Sequence, residues 1–321
     1  MPGGPTSPAD PRRRRDPRVP EASAAAEDWT AAEVELRRRL RDCAATRALA
    51  NGELRPIDGG LSNRAWRLDT AGGAWFARLG HPGAAALGVD RASECVLLCA
   101  AAAAGLSPEV LACEPSADLL VTRFVGGAPW QAADVPVEDN LRRVAGLLCR
   151  LHGLPVPAGV QSVSYAQQAR RLAAGLPTGT AEAILHELAG RVFARLDGRG
   201  FTPRLCHHDL HHLNLLDDRR RLWLVDWEYG GRGDPLMDLA GFLAMHELAP
   251  APTEVFLAAY GALPPADRGL VEAARWAFDY VQWLWYRRRF PDGGAAAGDR
   301  TERLSRRLLH CDNRSINWDE G

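Results

Sequence analysis

The chain has 321 residues, 46% of them hydrophobic and 25% charged, enough for one or two globular domains with a sizeable core. Its 39 basic residues are all arginine and its 40 acidic residues bring the net charge to -1, a balance that gives no support to a nucleic-acid or anionic-membrane role. The lack of lysine excludes a phosphate-loop lysine, a Schiff base and a lysine nucleophile, so a cationic phosphate clamp must be an arginine fork.

Residues 1–28 are rich in Pro, Arg and Ala and are expected to form a disordered tail. The arginine run at 12–15 reads as solvated tail, since the rest of the chain is not basic. A helix is expected over 30–49, with Thr30 as N-cap and Glu33 completing a capping box. Strands follow over 53–57, 64–68 and 75–79. The turn between the first two holds Gly59, Gly60, Ser62 and Asn63. Glycine there lets backbone approach a ligand and N–H groups cradle phosphate, although such a pair also serves an ordinary hairpin.

A helix over 90–104 carries Glu94 near its start. Arg78 on the third strand and Glu94 suit a phosphate-binding cation oriented by a helix carboxylate; the bland alternative is a surface ion pair of little value. Strands over 109–113 and 119–124 complete an antiparallel sheet. Phe124, Val125 and the two glycines that follow mark a crossing where an adenine ring would meet backbone groups. Beyond it the pattern turns helical over 137–152, 164–174, 180–196, 253–260 and 268–290, with a further helix opened by Asp238. The expected class is α+β, with a sheet-and-helix lobe over 29–127 that binds nucleotide and a mostly helical lobe over 128–321.

The passage CHHDLHHLN (206–214), followed by VDWE (225–228), carries the chemistry. In the protein-kinase template one Asp accepts the proton of the attacking hydroxyl, while an Asn and a second Asp hold the metal ions that bridge the ATP phosphates. Asp209, Asn214 and Asp226 have the residue types and spacing for those roles, since a nucleophile needs an oriented carboxylate and hard divalent cations want oxygen ligands. A hairpin of 215–216 with 222–225 would set Asn214 and Asp226 side by side. Two readings compete. The histidines at 207/211 and 208/212 have the helical spacing of zinc ligands, but no H-E-x-x-H motif accompanies them. Asp and Asn are also common in turns with no chemistry.

The seven cysteines (Cys43, Cys95, Cys99, Cys113, Cys149, Cys206 and Cys311) include no C-x-x-C and read as buried free thiols of a reducing compartment. No secretory signal is evident, and the apolar run 95–106 is too short to span a bilayer. The expected location is cytoplasmic, with no membrane or nucleic-acid partner.

Six stretches in order, GGLSNRAWRL (59–68), WFARLG (75–80), RASECVLLCAAAAAGLSPEVL (91–111), LLCRLHGLP (147–155), CHHDLHHLNLL (206–216) and VDWEYGGRGDPLMDLA (225–240), resemble the choline kinase, thiamine kinase and aminoglycoside phosphotransferase superfamily. The resemblance implies a two-lobed protein-kinase-like fold and the use of ATP with Mg2+. It makes Asp209 the catalytic base and Asn214 and Asp226 the metal ligands, with His207 and Asp238 supporting the catalytic loop. Arginine at 78, GGLSN and DWEY lean toward the choline/thiamine branch. His211-His212 depart from the His-Pro-Gly-like residues common before the Asn, and 155–203 matches no family segment.

For the acceptor, Asp279, Trp283 and Tyr286 fall at i, i+4 and i+7 of one predicted helix. Aromatic faces with a carboxylate suit a quaternary ammonium or thiazolium group, while the alternative is a core helix that is aromatic on all sides. Glu228, next to the metal-binding motif, is a further candidate for acceptor contact. Acidic and basic residues from Leu239 onward nearly balance, which favours a small monocation over a polycationic aminoglycoside. The expected enzyme is therefore an ATP-dependent kinase of a small cationic alcohol, monomeric or homodimeric, with no covalent Ser or Cys nucleophile. An aminoglycoside or macrolide phosphotransferase and a nucleotide-binding pseudokinase are the alternatives.

Overall fold

The computed structural model describes residues 29–57, 63–291 and 295–310, the side chains of 295–297 excepted. The tail over 1–28 and the turn residues Gly59, Gly60 and Ser62 lie outside them, as does Cys311.

Helix α1 (Trp29–Asp42) precedes strands β1 (Glu53–Ile57), β2 (Arg64–Thr70) and β3 (Gly73–Leu79), helix α2 (Arg91–Ala103), and strands β4 (Val110–Glu114) and β5 (Leu119–Arg123). The strands form one antiparallel sheet in the order β1-β2-β3-β5-β4. Two-residue alternation sorts their side chains. Trp66, Leu68, Trp75 and Ala77 turn toward Leu36 and Leu40 of α1, each full burial of a large apolar side chain contributing about 1.5–3 kcal/mol. Ala65, Phe76 and Arg78 turn the other way, into a cleft. Asp90 caps α2 by accepting from the Ala92 and Ser93 N–H groups, which sets Glu94 in its first turn.

After the crossing at 124–127 the chain forms β6 (Ala128–Pro129), α3 (Glu138–His152), α4 (Tyr165–Ala173), α5 (Thr180–Gly198), β7 (Arg204–Cys206), β8 (Leu215–Asp217), β9 (Leu222–Leu224) and β10 (Gly231–Gly233). Five helices follow, α6 (Pro235–Met245), α7 (Pro250–Tyr260), α8 (Pro265–Arg268), α9 (Val271–Arg289) and α10 (Ala295–His310). β8 pairs with β9 and β6, and β10 with β7. α9 packs against α4, α5, α6 and α10, which explains why it is apolar around nearly its whole circumference. The result is a two-lobed, protein-kinase-like α+β fold. No helix among the described residues is long and apolar enough to cross a membrane.

Three expectations need correction. α1 stops at Asp42 instead of reaching residue 49, because the buried Thr46 hydroxyl donates to the Leu40 carbonyl at 3.0 Å and a separate 3-10 turn starts at Arg47. Asp238 does not open a helix: α6 begins at Pro235 under an Asp234 cap, and Asp238 sits buried in its first turn. The cysteines are not all buried thiols. Cys95 on α2 and Cys113 on the edge strand β4 are joined, with Cα atoms 5.7 Å apart, while Cys99 and Cys149 are exposed. The pairing follows from α2 lying along β4, which the eighteen-residue separation does not reveal.

Candidate active site

The cleft between the lobes holds a cavity of about 530 Å³. Its floor is the loop between β7 and β8, and one buried carboxylate fixes that loop. Asp238 Oδ2 accepts from the His207 N–H (2.8 Å) and lies 3.0 Å from His152 Nε2, while Oδ1 accepts from the His208 N–H (2.7 Å). Burial alone would raise its pKa. The hydrogen bond from His152 and the neighbouring His208 outweigh that and hold it well below the usual carboxylate range. Tyr260 closes the chain at His152 Nδ1 (2.8 Å).

His207 links this loop to the second motif. Its Nε2 lies 3.0 Å from the Val225 carbonyl, and its Nδ1 accepts from the Asp209 N–H at 3.3 Å. The two bonds fix the neutral tautomer with the proton on Nε2, in keeping with a pKa lowered by burial. A Val225 N–H bond to the Asn214 carbonyl (3.1 Å) completes the connection, so Asn214 and Asp226 are adjacent, as the predicted hairpin requires. Trp227 locks the turn from below by donating to Ser107 Oγ, which in turn donates to the Leu224 carbonyl. His208 and Asp226 both adopt left-handed backbone, φ 61° and 63°, strain that the surrounding bonds must hold. Gly233 accommodates His208: a Cβ there would come within 2.4 Å of the His208 ring.

Asn214 Nδ2 donates to the Asp209 carbonyl (2.9 Å) and to its carboxylate (3.3 Å). Burial pushes the Asp209 carboxyl up to about 6, against smaller opposing effects of His207 and Asn214. Across the cleft, Arg78 forks onto Glu94 at 2.7 and 2.8 Å, with both side chains buried, and its Nη1 lies 3.5 Å from Asp226 Oδ1. The Arg78–Glu94 pair is thus not a surface ion pair.

Asp226 is pushed well above the usual range, first by burial and then by the nearby Glu228, with Arg78 offsetting only part of this. A carboxylate crowded by other acids is a place where a divalent cation restores charge balance. Since Asn214 spends its Nδ2 on Asp209, its Oδ1 remains for a ligand. One carboxylate and one amide oxygen form the hard donor set that Mg2+ takes. The residues fit that ion.

Phe124 and Val125 line the cavity with Phe76, Leu120 and Leu216. Asn63 and Glu228 line it too, but their side chains are engaged with each other: Asn63 Nδ2 donates to Glu228 Oε2 at 2.8 Å. The same cavity is lined by Tyr165, Gln168, Tyr229, Gln282, Trp285 and Tyr286. Trp285 Nε1 donates to the Tyr229 hydroxyl at 3.0 Å. Of the residues expected on the helix, only Tyr286 takes part. Asp279 is paired with Arg307, and Trp283 lies under the Arg287 guanidinium, 4.6 Å from its centre. The shared face of Asp279 and Trp283 therefore does not meet the cavity; 281, 282, 285 and 286 do. The zinc reading also falls away, because residues 207–211 form no helix and the histidine pairs share no helical turn.

Sequence reasoning missed Tyr165, Gln168 and Gln282. Tyr229 adjoins the DWE motif and Trp285 adjoins Tyr286, so a signal for both was present. It also missed Arg91, three residues before Glu94 on the exposed turn of a predicted helix, whose guanidinium lies within this cluster.

Comparison with known proteins agrees with the geometry. Residues 53–272 match the model of the phosphotransferase enzyme family. A choline/ethanolamine kinase family protein from Mesorhizobium loti superposes with a TM-score of 0.71 at 26% identity, covering 88% of this chain and 96% of that one. The choline kinase LicA from Streptococcus pneumoniae superposes with a TM-score of 0.72 at 18% identity, over 87% of this chain and 99% of that one. Protein LicA from Haemophilus influenzae is 39% identical over 57 residues, which span 18% of this chain and only 21% of that relative's length. With its family model covering both the five-stranded sheet and the loop between β7 and β8, the chain belongs to the phosphotransferase enzyme family.

Proposed function

We propose that the protein transfers the γ-phosphoryl group of ATP, with Mg2+, to the hydroxyl of a small cationic alcohol of the choline or thiamine kind. The observation that carries this reading is the set of aromatic side chains, Tyr165, Tyr229, Trp285 and Tyr286, that lines the same cavity as the Asp209 carboxylate. Aromatic faces attract a desolvated cation by up to about 2 kcal/mol each. The carboxylate near it is Asp209 itself, not Asp279. The similarity to a choline/ethanolamine kinase family protein supports the same class.

In this reading the acceptor hydroxyl lies against Asp209, held in place by Asn214 and by the His207–Asp238 bracing of the loop. The new O–P bond forms as the bond from the γ-phosphorus to the bridging oxygen of ADP breaks. The hydroxyl proton passes to Asp209 and ADP leaves. Arg78, oriented by Glu94, faces the phosphates. A metal ion held by Asn214 and Asp226 supplies neutralisation of the phosphate charge.

The test is Mg2+-dependent ADP release against choline, ethanolamine, thiamine, aminoglycosides and a macrolide. One small cation is expected to give a strong signal that vanishes in Asp209→Ala. A signal with the antibiotics alone overturns the choline-like reading, and an active, folded Asp209→Ala overturns the base. The pH profile follows from the same residue. Asp209 must be ionised to accept a proton, and its raised pKa puts the acid limb of kcat/KM near pH 6, with activity falling about tenfold per unit below it. A profile flat down to pH 4.5 would remove Asp209 from the proton transfer.

A further inference from the structure

Arg91 occupies an unusual place. Its side chain is nearly buried behind the cavity-lining residues Asn63, Glu94 and Glu228, and its guanidinium meets four side chains from both lobes. Nη1 donates to Glu94 Oε2 (2.8 Å) and to Glu228 Oε2 (3.2 Å), and Nη2 donates to Asn63 Oδ1 (2.9 Å). Nε lies 3.5 Å from Asp118 Oδ1. Asn63 closes the ring by donating to Glu228 and by accepting from the His81 N–H at 3.2 Å. Asn63 immediately precedes β2, and Glu228 stands two residues beyond Asp226. Thus one arginine ties Asn63, just ahead of β2, and the start of α2 to Glu228 on the other side of the cleft.

The charges make this more than packing. Glu94, Asp226, Glu228 and the half-exposed Asp118 are four acids within one cluster, and Arg78 and Arg91 are the two guanidinia against them. Arg78 is spent on Glu94 and Asp226. Glu228, itself buried, depends on Arg91 for its countercharge. A planar fork can hold Glu94, Glu228 and Asn63 at once, whereas a single ammonium cannot. Without Arg91, Glu228 would stand as an uncompensated carboxylate beside the place where a triphosphate must lie, repelling it in a site where screening is weak.

We infer that Arg91 is a positioning residue for nucleotide binding: it latches the two lobes through Glu228 and Asn63 and masks the Glu228 charge from the phosphates of ATP. This rests on the reading of the cleft as the nucleotide site. The role is distinct from that of Arg78, which reaches the metal-side Asp226, and from that of the aromatic residues lining the cavity.

The experiment compares wild type, Arg91→Met, Arg91→Lys and Arg91→Met/Glu228→Gln in steady-state kinetics for both substrates, with amide hydrogen exchange on the nucleotide-free proteins. Arg91→Met is expected to raise KM for ATP tenfold or more and leave KM for the acceptor unchanged. Arg91→Lys should fall between it and wild type. Removing the exposed charge in Arg91→Met/Glu228→Gln should return most of the lost ATP affinity, an effect that a merely structural arginine would not give. Exchange should quicken in Arg91→Met at 63–65 and 228–230 together. Equal losses for both substrates, or no recovery in the double variant, overturn the latch. If Arg91→Met does not fold, Arg91→Lys with the wild-type KM for ATP overturns it as well. Wild type that binds no ATP at all would instead overturn the nucleotide reading, and the exchange data would still decide whether Arg91 joins the lobes.

Discussion

Asp209→Asn should cut turnover by orders of magnitude and, in metal-free buffer at neutral pH, melt at a higher temperature than the wild type. Both effects come from the same burial. The carboxyl has a pKa near 6 in the folded protein against an ordinary value of 3.8, because the cavity floor disfavours its charge. Between pH 4 and 6 the native state therefore holds a proton that the unfolded state has released. Stability falls as pH rises through that window and stays lower above it. At about 1.4 kcal/mol per unit, the cost at pH 7 is on the order of 2–3 kcal/mol.

Asparagine carries no charge to bury and can still accept from Asn214. The variant should thus gain up to about that amount at pH 7 and nothing at pH 4, where wild-type Asp209 is already neutral. Turnover should fall by about 10²–10⁴, the usual worth of a general base. Melting curves of both proteins at pH 4 and 7, in chelator, check this. A stability gain equal at both pH values would mean that packing, not charge, sets the difference. A less stable variant would mean that the Asp209 carboxylate is well solvated and that its raised pKa is not a cost of burial.

Legibility in the sequence tracked the range of the interactions. Asp209, Asn214 and Asp226 could be placed together because five residues of loop and a short hairpin leave the backbone few alternatives, and the Asn214–Val225 bond realises that pairing. Arg78 and Glu94 could be matched because two-residue alternation on β3 and a cap at Asp90 fix the direction of each side chain. On α9, periodicity showed which residues share a face but not which face meets the cavity. α4, α5, α6 and α10 surround that helix, and their packing turns Trp285 and Tyr286 to the cavity and leaves Asp279 to Arg307 of α10. α10 had not been anticipated, so the partner that removes Asp279 from the site was not visible. Arg91 escaped for a similar reason: its partners Asn63 and Glu228 lie 28 and 137 residues away. The Cys95–Cys113 bond likewise depends on how α2 lies over β4.

Glu94→Leu should be the most destabilising single change in the N-terminal lobe, because Glu94 is the carboxylate that two largely buried cations, Arg78 and Arg91, share. It accepts both Nη atoms of Arg78 and one of Arg91, while its own side chain is 1% exposed. Its carboxyl is held below the ordinary range, burial working against the stronger pull of Arg78 and Arg91. The stability it contributes is therefore present above the unfolded-state pKa and is lost as pH falls through the lower folded value. Breaking a buried pair by removing one partner costs about 3–5 kcal/mol, much of a typical domain's total stability. Arg78→Met should cost less, since Glu94 keeps Arg91 and Asp226 is the group left without a cation. In Arg78→Met/Glu94→Leu the buried charges leave together, so stability should recover relative to Glu94→Leu while ATP turnover does not. Denaturant titrations of the three variants decide the matter. If Glu94→Leu loses less than about 1 kcal/mol, the size expected of an exposed pair, the salt bridge is open to water and the buried Arg78–Glu94 clamp does not exist in solution.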